Sequence, residues 1–348
     1  MPLEELRMAE SRIHFAVIGL NHGHIYGQVQ ALEEGGGELI SFFAPEPDLA
    51  SRFGSRYPKA KRASSEKEIL EDRSIQLVAS ASIPSERAPL GIRVMQHEKD
   101  FMSDKPGFTT LAQLAEARKV QARTRMIYSI FFGERFGNAA TIKADELVRQ
   151  GAIGRVIQTV GLGPHQTNLK TRPDWFFKKE SYGGILTDIG SHQVDQFLHF
   201  TDSKSAQVVS SQVANYHHPE QPGLEDFGDM TLRSDKATGY IRVDWFTPDG
   251  LGSWGDGRLI LLGTEGYIEV RKNIDIMGRP GGNHLFLVNS KGKDYLDCDG
   301  TVLPYGKQLV DDVVNRTETA MPQAHCFLAS QLALEAESKA ARLGHLKS

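Results

Sequence analysis

Asp188 and His192 stand four residues apart, just past a glycine pair, in Gly183-Gly184-Ile-Leu-Thr-Asp188-Ile-Gly-Ser-His192-Gln-Val-Asp195. On a helix that spacing stacks carboxylate and imidazole on one face, with Asp195 a further turn along. Together they can orient a substrate hydroxyl and take its proton, because neutral histidine is the side chain whose unperturbed pKa lies nearest working pH. Taken alone, the pair reads better as a helix start, with Asp188 offsetting the dipole and His192 packing against a neighbour. A second signal upstream shifts that balance. Asp104-Lys105-Pro106 closes the segment His97-Glu-Lys-Asp-Phe-Met-Ser, which reads as a helix end, a turn and a short strand.

A third candidate is the turn Gly19-Leu-Asn21-His22-Gly23-His24. A dinucleotide fold expects G-x-G-x-x-G between a strand and a helix, where the glycines allow a tight turn and close approach of the pyrophosphate to the helix N-terminus. The first glycine is in place, Asn21 occupies the second position and tolerates a left-handed conformation, and His24 stands at the third. The pattern fails as a motif and survives by context, since it joins a clean strand to a clean helix. At the end of the next strand, where an acid for the adenine ribose is expected, the chain has Ala44 followed by Pro45-Glu46-Pro47-Asp48. Glu46 is the substitute. No arginine lies beside Ala44 to accept a 2'-phosphate, which favours NAD over NADP without excluding the latter.

The elements that must hold these groups alternate strand and helix through the first third. Strands are expected at 13–20, 38–44, 75–82, 101–103 and 126–132, with helices at 25–34, 48–56, 65–71, 89–96 and 110–123 between them. Such alternation implies a doubly wound parallel sheet with right-handed crossovers. After a helix at 143–150 the rhythm changes to strand-like segments at 156–162, 206–217, 227–233, 238–247, 258–270 and 284–289. These suggest a large, open, mostly antiparallel sheet. Its apolar residues Val208, Val209, Val213, Ile241, Val243, Trp245, Ile260 and Leu262 are expected to face helices on one side and another subunit on the other. Helices at 307–314 and 323–343 close the chain. The expected division is a tail at 1–12, a dinucleotide domain at 13–132, a substrate and oligomerisation domain at 133–305, and helices at 306–348 returning to the first domain.

Composition sets the outer limits. A chain of 348 residues with 40% apolar content fills two cores. A net charge of -4, with small basic clusters alternating with acids, argues against nucleic acid or an anionic membrane as partner. Cys298 and Cys326 share no metal or redox spacing, and a reducing cytoplasm is the expected setting. The charged segment Met1 to Arg12 has no apolar core and is read as neither signal peptide nor anchor. No bound metal is expected: no H-E-x-x-H pattern appears, His217 and His218 would diverge on a strand, and His165, Asp188 and His192 share no ligand spacing.

Taken together, the first strand and turn, x-Lys-Pro at 104–106, Gly151-Ala-Ile-Gly-Arg-Val156 and Gly-Gly-x3-Asp-x3-His at 183–192 resemble the Gfo/Idh/MocA oxidoreductases over residues 13 to about 343. The resemblance implies an α/β protein with an N-terminal Rossmann domain, a C-terminal α+β domain on an open sheet, and a homodimer or homotetramer built through that sheet. It also implies NAD(P)-dependent redox chemistry at a hydroxyl of a sugar, polyol or sugar-like compound. The family's Glu-Lys-Pro becomes Asp104-Lys105-Pro106, and its aspartate and histidine map onto Asp188 and His192. Oxidising an alcohol requires a base for the hydroxyl proton and a cation for the developing alkoxide. His192 is read as the base, Asp188 as a hydroxyl acceptor that tunes it, and Lys105 as the polarising cation; Lys105 with a pKa lowered by burial is the alternative base. Pro164-His165, Arg172 and Trp175 precede the motif on a loop and are candidates for substrate contact or plain loop packing. Two other readings stay open: an enzyme that retains NAD and uses transient oxidation for elimination, glycoside cleavage or epimerisation, and a non-catalytic dinucleotide sensor. Net turnover of free cofactor separates the first of these from a dehydrogenase.

Overall fold

Alternation of buried strands and half-buried helices in the first 131 residues closes a six-stranded parallel sheet. The computed structural model describes residues 13–344; the tail at 1–12, with its reading as neither signal nor anchor, and residues 345–348 lie outside them. The strands are β1 (Ile13–Ile18), β2 (Gly37–Phe43), β3 (Lys61–Arg62), β4 (Leu77–Ser80), β5 (Asp100–Asp104) and β6 (Tyr128–Phe131), in the order β3-β2-β1-β4-β5-β6. The helices α1 (Ile25–Glu34), α2 (Pro47–Arg56), α3 (Glu66–Glu71), α4 (Pro84–Gln96) and α5 (Leu111–Thr124) connect them. That order reverses direction between β1 and β4, the switch point outside whose carboxyl ends open α/β sheets bind ligands.

Helix α4 begins five residues earlier than the expected start at Pro89, because Pro84 opens it at a position where its fixed φ suits a first turn. Pro89 then sits inside the helix and cannot bond the carbonyl of Ser85. That carbonyl accepts instead from Gln113 Nε2 at 2.9 Å, so the interior proline leaves no orphaned acceptor.

Two short helices, α6 (Gly133–Phe136) and α7 (Ala139–Arg149), lead to β7 (Val156–Pro164). Then come α8 (Lys179–Tyr182), α9 (Ile185–Asp188), α10 (Gly190–Phe200), and the strands β8 (Gln207–Ala214), β9 (Phe227–Arg233), β10 (Thr238–Asp244), β11 (Gly257–Gly263), β12 (Gly266–Lys272), β13 (Asn283–Asn289) and β14 (Gly292–Asp297). Helices α11 (Tyr305–Asn315) and α12 (Gln323–Lys339) precede a last short strand, β15 (Ala341–Arg342). The second sheet runs β14-β13-β12-β11-β7-β10-β9-β8-β15 and is antiparallel except at β7/β10 and β8/β15. The expected strand at 258–270 is a hairpin, β11 and β12 turning at Thr264-Glu265.

One face of this sheet packs on α10, and the pleat sorts the apolar residues accordingly. Val213, Ile241, Val243 and Trp245 are buried there, whereas Val209, Tyr240, Phe246, Leu262 and Tyr267 are exposed. Helix α12 touches α5 and β6 of the first sheet as well as α9, α10 and β8, and α11 packs on α1. No helix among the described residues is long and apolar enough to cross a membrane.

Candidate active site

Lys105 follows the last residue of β5 and is buried. Its Nζ donates to Asp188 Oδ1, at the end of α9, at 2.9 Å, an ion pair across 83 residues of chain. The backbone behind Lys105 is fixed by the fully buried Arg87 of α4, which donates to the carbonyls of Ser82, Lys105 and Pro106 and lies 3.1 Å from Asp104 Oδ2.

Asp188 is held from behind by a buried charge cluster. Gly183 and Gly184 both take positive φ, +91° and +93°, and a Cβ on Gly184 would sit 2.2 Å from the carboxyl carbon of Glu337, so glycine is required there. Past this turn, the Ile185 amide donates to Glu225 Oε2 and the Leu186 amide to Glu337 Oε2, each at 3.0 Å. Lys179 Nζ bonds both carboxylates at 2.5 Å. Burial, with Glu225 beside it, raises Glu337 to about 7.

The helix predicted to carry Asp188 and His192 on one face is broken at Ile189. The His192 amide reaches only to the Ile189 carbonyl, at 3.1 Å, and the Ser191 hydroxyl takes the Asp188 carbonyl at 3.3 Å. Asp188 and His192 open onto different cavities, both lined by Lys105. The larger, about 350 Å³, is lined by His192, His165, Trp254, Glu134 and Lys272 among others. The smaller, about 190 Å³, is lined by Asp188, Arg172, Trp175, His22 and Trp254. Lys105 and His24 line both.

The expectation that Asp188 tunes His192 is corrected by this arrangement: Asp188 pairs with Lys105, and His192 Nδ1 is buried with no hydrogen-bond partner. Burial and the neighbouring Lys105 ammonium hold His192 well below its ordinary pKa, so its imidazole is neutral. Asp195 belongs to a different network. Arg135 bonds it through Nε at 2.6 Å and a second nitrogen at 2.7 Å, and His325 Nε2 lies 2.7 Å away, which ties α10 to α6 and α12.

Of the loop candidates, His165 faces the larger cavity, edge-on to Trp254 with ring centroids 3.9 Å apart, and burial pushes it down to about 3. Arg172 spends two nitrogens on the carbonyls of Thr167 and Gln166 and lies over Phe176 and Trp245, so much of its role is loop packing. Trp175 reaches the smaller cavity. Three cleft residues, Lys272, Glu134 and Trp254, were missed from sequence. Lys272 Nζ donates to Glu134 Oε2 at 2.6 Å, Gln193 Nε2 donates to the same oxygen at 2.8 Å, and Trp254 stands 43% exposed at the cleft. Nothing in β12 marked Lys272 out, since the charged Glu269 and Arg271 precede it in the same strand.

The turn after β1 fits a dinucleotide. Gly19 takes φ +85°, and a Cβ there would meet that of Ser82 at 2.5 Å, whereas a Cβ on Gly23 would meet nothing within 4 Å, which leaves the backbone before α1 open to a phosphate. Asn21 does not adopt the left-handed conformation that asparagine tolerates. Its side chain donates to Glu46 Oε1 at 2.7 Å instead, and the buried Glu46 Oε2 is left without a partner. Beside the buried, side-chain-poor Ala44, that free acceptor suits a ribose hydroxyl. His22 and His24 turn towards Asp104: His24 Nδ1 is 2.9 Å from Oδ1 and His22 Nδ1 is 3.6 Å from Oδ2.

Residues 141–269 match the family model for the GFO/IDH/MocA C-terminal domain. The chain is 47% identical to an Erwinia carotovora atroseptica SCRI1043 protein assigned to the oxidoreductases, covering 95% of this chain and 100% of that one with a TM-score of 0.93. It is 24% identical to levoglucosan dehydrogenase of Pseudarthrobacter phenanthrenivorans over 247 residues, 65% of this chain and 62% of the relative. A solved levoglucosan dehydrogenase in complex with NADH and levoglucosan has the same fold, with a TM-score of 0.76 at 16% identity over 94% of this chain and 97% of that one. The matched stretches span between 33% and 62% of the lengths of the curated relatives.

Proposed function

The chain belongs to the Gfo/Idh/MocA oxidoreductases, and from that premise we propose that it transfers hydride between a nicotinamide dinucleotide and a hydroxyl-bearing carbon of a sugar, polyol or sugar-like compound. The observation that carries this reading is the Lys105–Asp188 pair, poised between two cavities at the carboxyl end of the parallel sheet. A bound nicotinamide supplies the hydride acceptor or donor. The turn from Gly19 to Gly23 would hold the pyrophosphate, Glu46 the adenine ribose and Lys105 the redox end. The partnerless Glu46 oxygen favours NAD, since a 2'-phosphate would meet a carboxylate there.

Proton movement falls to Lys105 and Asp188 together. In the reductive direction the Lys105 ammonium, held by the Asp188 carboxylate, gives its proton to the developing alkoxide; in the oxidative direction the same step runs backwards and the substrate hydroxyl's proton ends on Lys105 Nζ. His192, neutral by burial, orients the hydroxyl through a hydrogen bond. This exchanges the roles read from spacing alone, because an imidazole next to an ammonium is a weak proton acceptor. Trp254 and the Glu134–Lys272 pair suit a polyhydroxy substrate, offering an aromatic face for C–H groups and a polar edge for hydroxyls.

The exposed row Val209, Tyr240, Phe246, Leu262 and Tyr267 supports assembly of two or four copies through the second sheet. Light scattering should give at least twice the 38.5 kDa of one chain; a particle of one chain's mass sinks the assembly. Two free, buried cysteines accord with a reducing cytoplasmic setting. The activity itself is tested by screening sugars, polyols, inositols and their keto forms with NAD and NADP. Net reduction or oxidation of added cofactor supports the proposal, and conversion of substrate without net cofactor turnover refutes it.

A further inference from the structure

The three groups at the β1–α1 turn leave an electrostatic anomaly. His24 donates its backbone N–H to His22 Nδ1 at 3.3 Å, so that ring nitrogen presents a lone pair. The same nitrogen lies 3.6 Å from Asp104 Oδ2, an oxygen on a fully buried side chain that accepts no hydrogen bond. Two acceptors therefore face each other with no proton between them. Arg87 offsets the charge of Asp104 from 3.1 Å without donating an aligned hydrogen bond to that oxygen.

We propose that His22, His24 and Asp104 form a site for a divalent first-row transition ion, bound by two imidazoles and one carboxylate. One ligand atom from each residue lies within 4.8 Å of the others, and the 2.9 and 3.6 Å separations bracket the distance between neighbouring ligands around an ion with bonds of about 2.1 Å. The donor set suits Zn²⁺, Co²⁺, Fe²⁺ or Mn²⁺; Mg²⁺ and Ca²⁺ prefer oxygen alone. Arg87 fixes the carboxylate from behind, the part that outer-shell partners play at such sites. Both histidines line the smaller cavity with Lys105 and Asp188, so the ion's remaining positions face the cleft and take hydroxyl oxygens or water. Asp104 and Asp188 are balanced by Arg87 and Lys105; His22 Nδ1 offers its lone pair directly, and the ion takes the place of the proton that His24 Nδ1 donates to Asp104 Oδ1. The signal in the chain was His22-Gly-His24, two imidazoles astride a glycine whose position adds no bulk.

The site does not rest on the redox reading, and binding is measured without turnover. Untagged full-length protein, stripped with chelator, is titrated at neutral pH with Co²⁺ alone and followed by visible d–d absorption. One saturating equivalent is expected, displaced by Zn²⁺. His22→Ala and His24→Ala should each weaken Co²⁺ binding by about tenfold or more, the scale on which even outer-shell partners act, with circular dichroism unchanged. Asp104→Asn leaves Arg87 buried and unpaired and is expected to impair folding, so the histidine variants carry the test. Absence of a saturable band, or a band that persists at unchanged affinity in both variants, overturns the proposal.

Discussion

Lys105 Nζ and Asp188 Oδ1 are 2.9 Å apart, with only 7% and 13% of their side chains exposed, at the seam between a parallel and a mostly antiparallel sheet. A pair so sheltered from solvent is held by both domains at once. Removing either charge leaves the other buried and uncompensated.

Asp188 owes its position to Glu337 as much as to its own helix. Glu337→Ala leaves the Leu186 amide and Lys179 short of a partner. We expect kcat to fall by about tenfold or more, an effect of about 1.4 kcal/mol, with dinucleotide affinity held within about threefold. Steady-state kinetics with a parallel NADH fluorescence titration check this; equal losses in both would mean general unfolding rather than a shifted Asp188.

Histidine burial sets an acid limit on stability. The folded-state pKa values of His165, about 3, and of His192 lie below the unfolded value of about 6.5, so below that pH the unfolded chain takes up protons that the folded chain refuses. Stability is complete above pH 6.5 and declines as pH falls below it, by at most about 1.4 kcal/mol per unit for each histidine. Urea unfolding between pH 7 and pH 5 should show this slope, and His165→Asn should reduce it. A slope unchanged by the substitution would mean that His165 is not buried as described.

Cofactor choice is expected to turn on Glu46. Glu46→Ala removes the partnerless carboxylate oxygen, and the ratio of kcat/KM for NAD over NADP should fall by about tenfold, the magnitude of one charge-assisted hydrogen bond. An unaltered ratio, or an NADP preference in the unmodified protein, contradicts the reading of Ala44 and Glu46.

The parts of this protein legible in its sequence are those set by local pattern. Strand and helix alternation, the Lys105 turn and the Asp188 and His192 motif follow from residue types at short spacing. What escaped notice depends on elements far apart in the chain: Lys272 at the end of β12 meets Glu134 of α6, 138 residues away. The role that we propose for Lys105 in place of His192 was hidden for a related reason. Spacing of four residues implies a shared helix face, but His192 and Asp188 line separate cavities, and burial keeps the His192 imidazole neutral. The requirement for glycine at position 184 is set by Glu337, a residue near the other end of the chain.

The most direct test is a double-mutant cycle on single-turnover hydride transfer, with enzyme, NAD and whichever substrate the screen identifies. Lys105→Met and Asp188→Asn should each lower the rate by about a hundredfold or more, about 2.7 kcal/mol of barrier, and the double variant should be little slower than the poorer single one because the two act as a unit. His192→Asn should cost less than either. Near-normal rates in both single variants with unchanged cofactor affinity, or strictly additive losses in the double variant, would contradict the assignment of proton transfer to the Lys105–Asp188 pair.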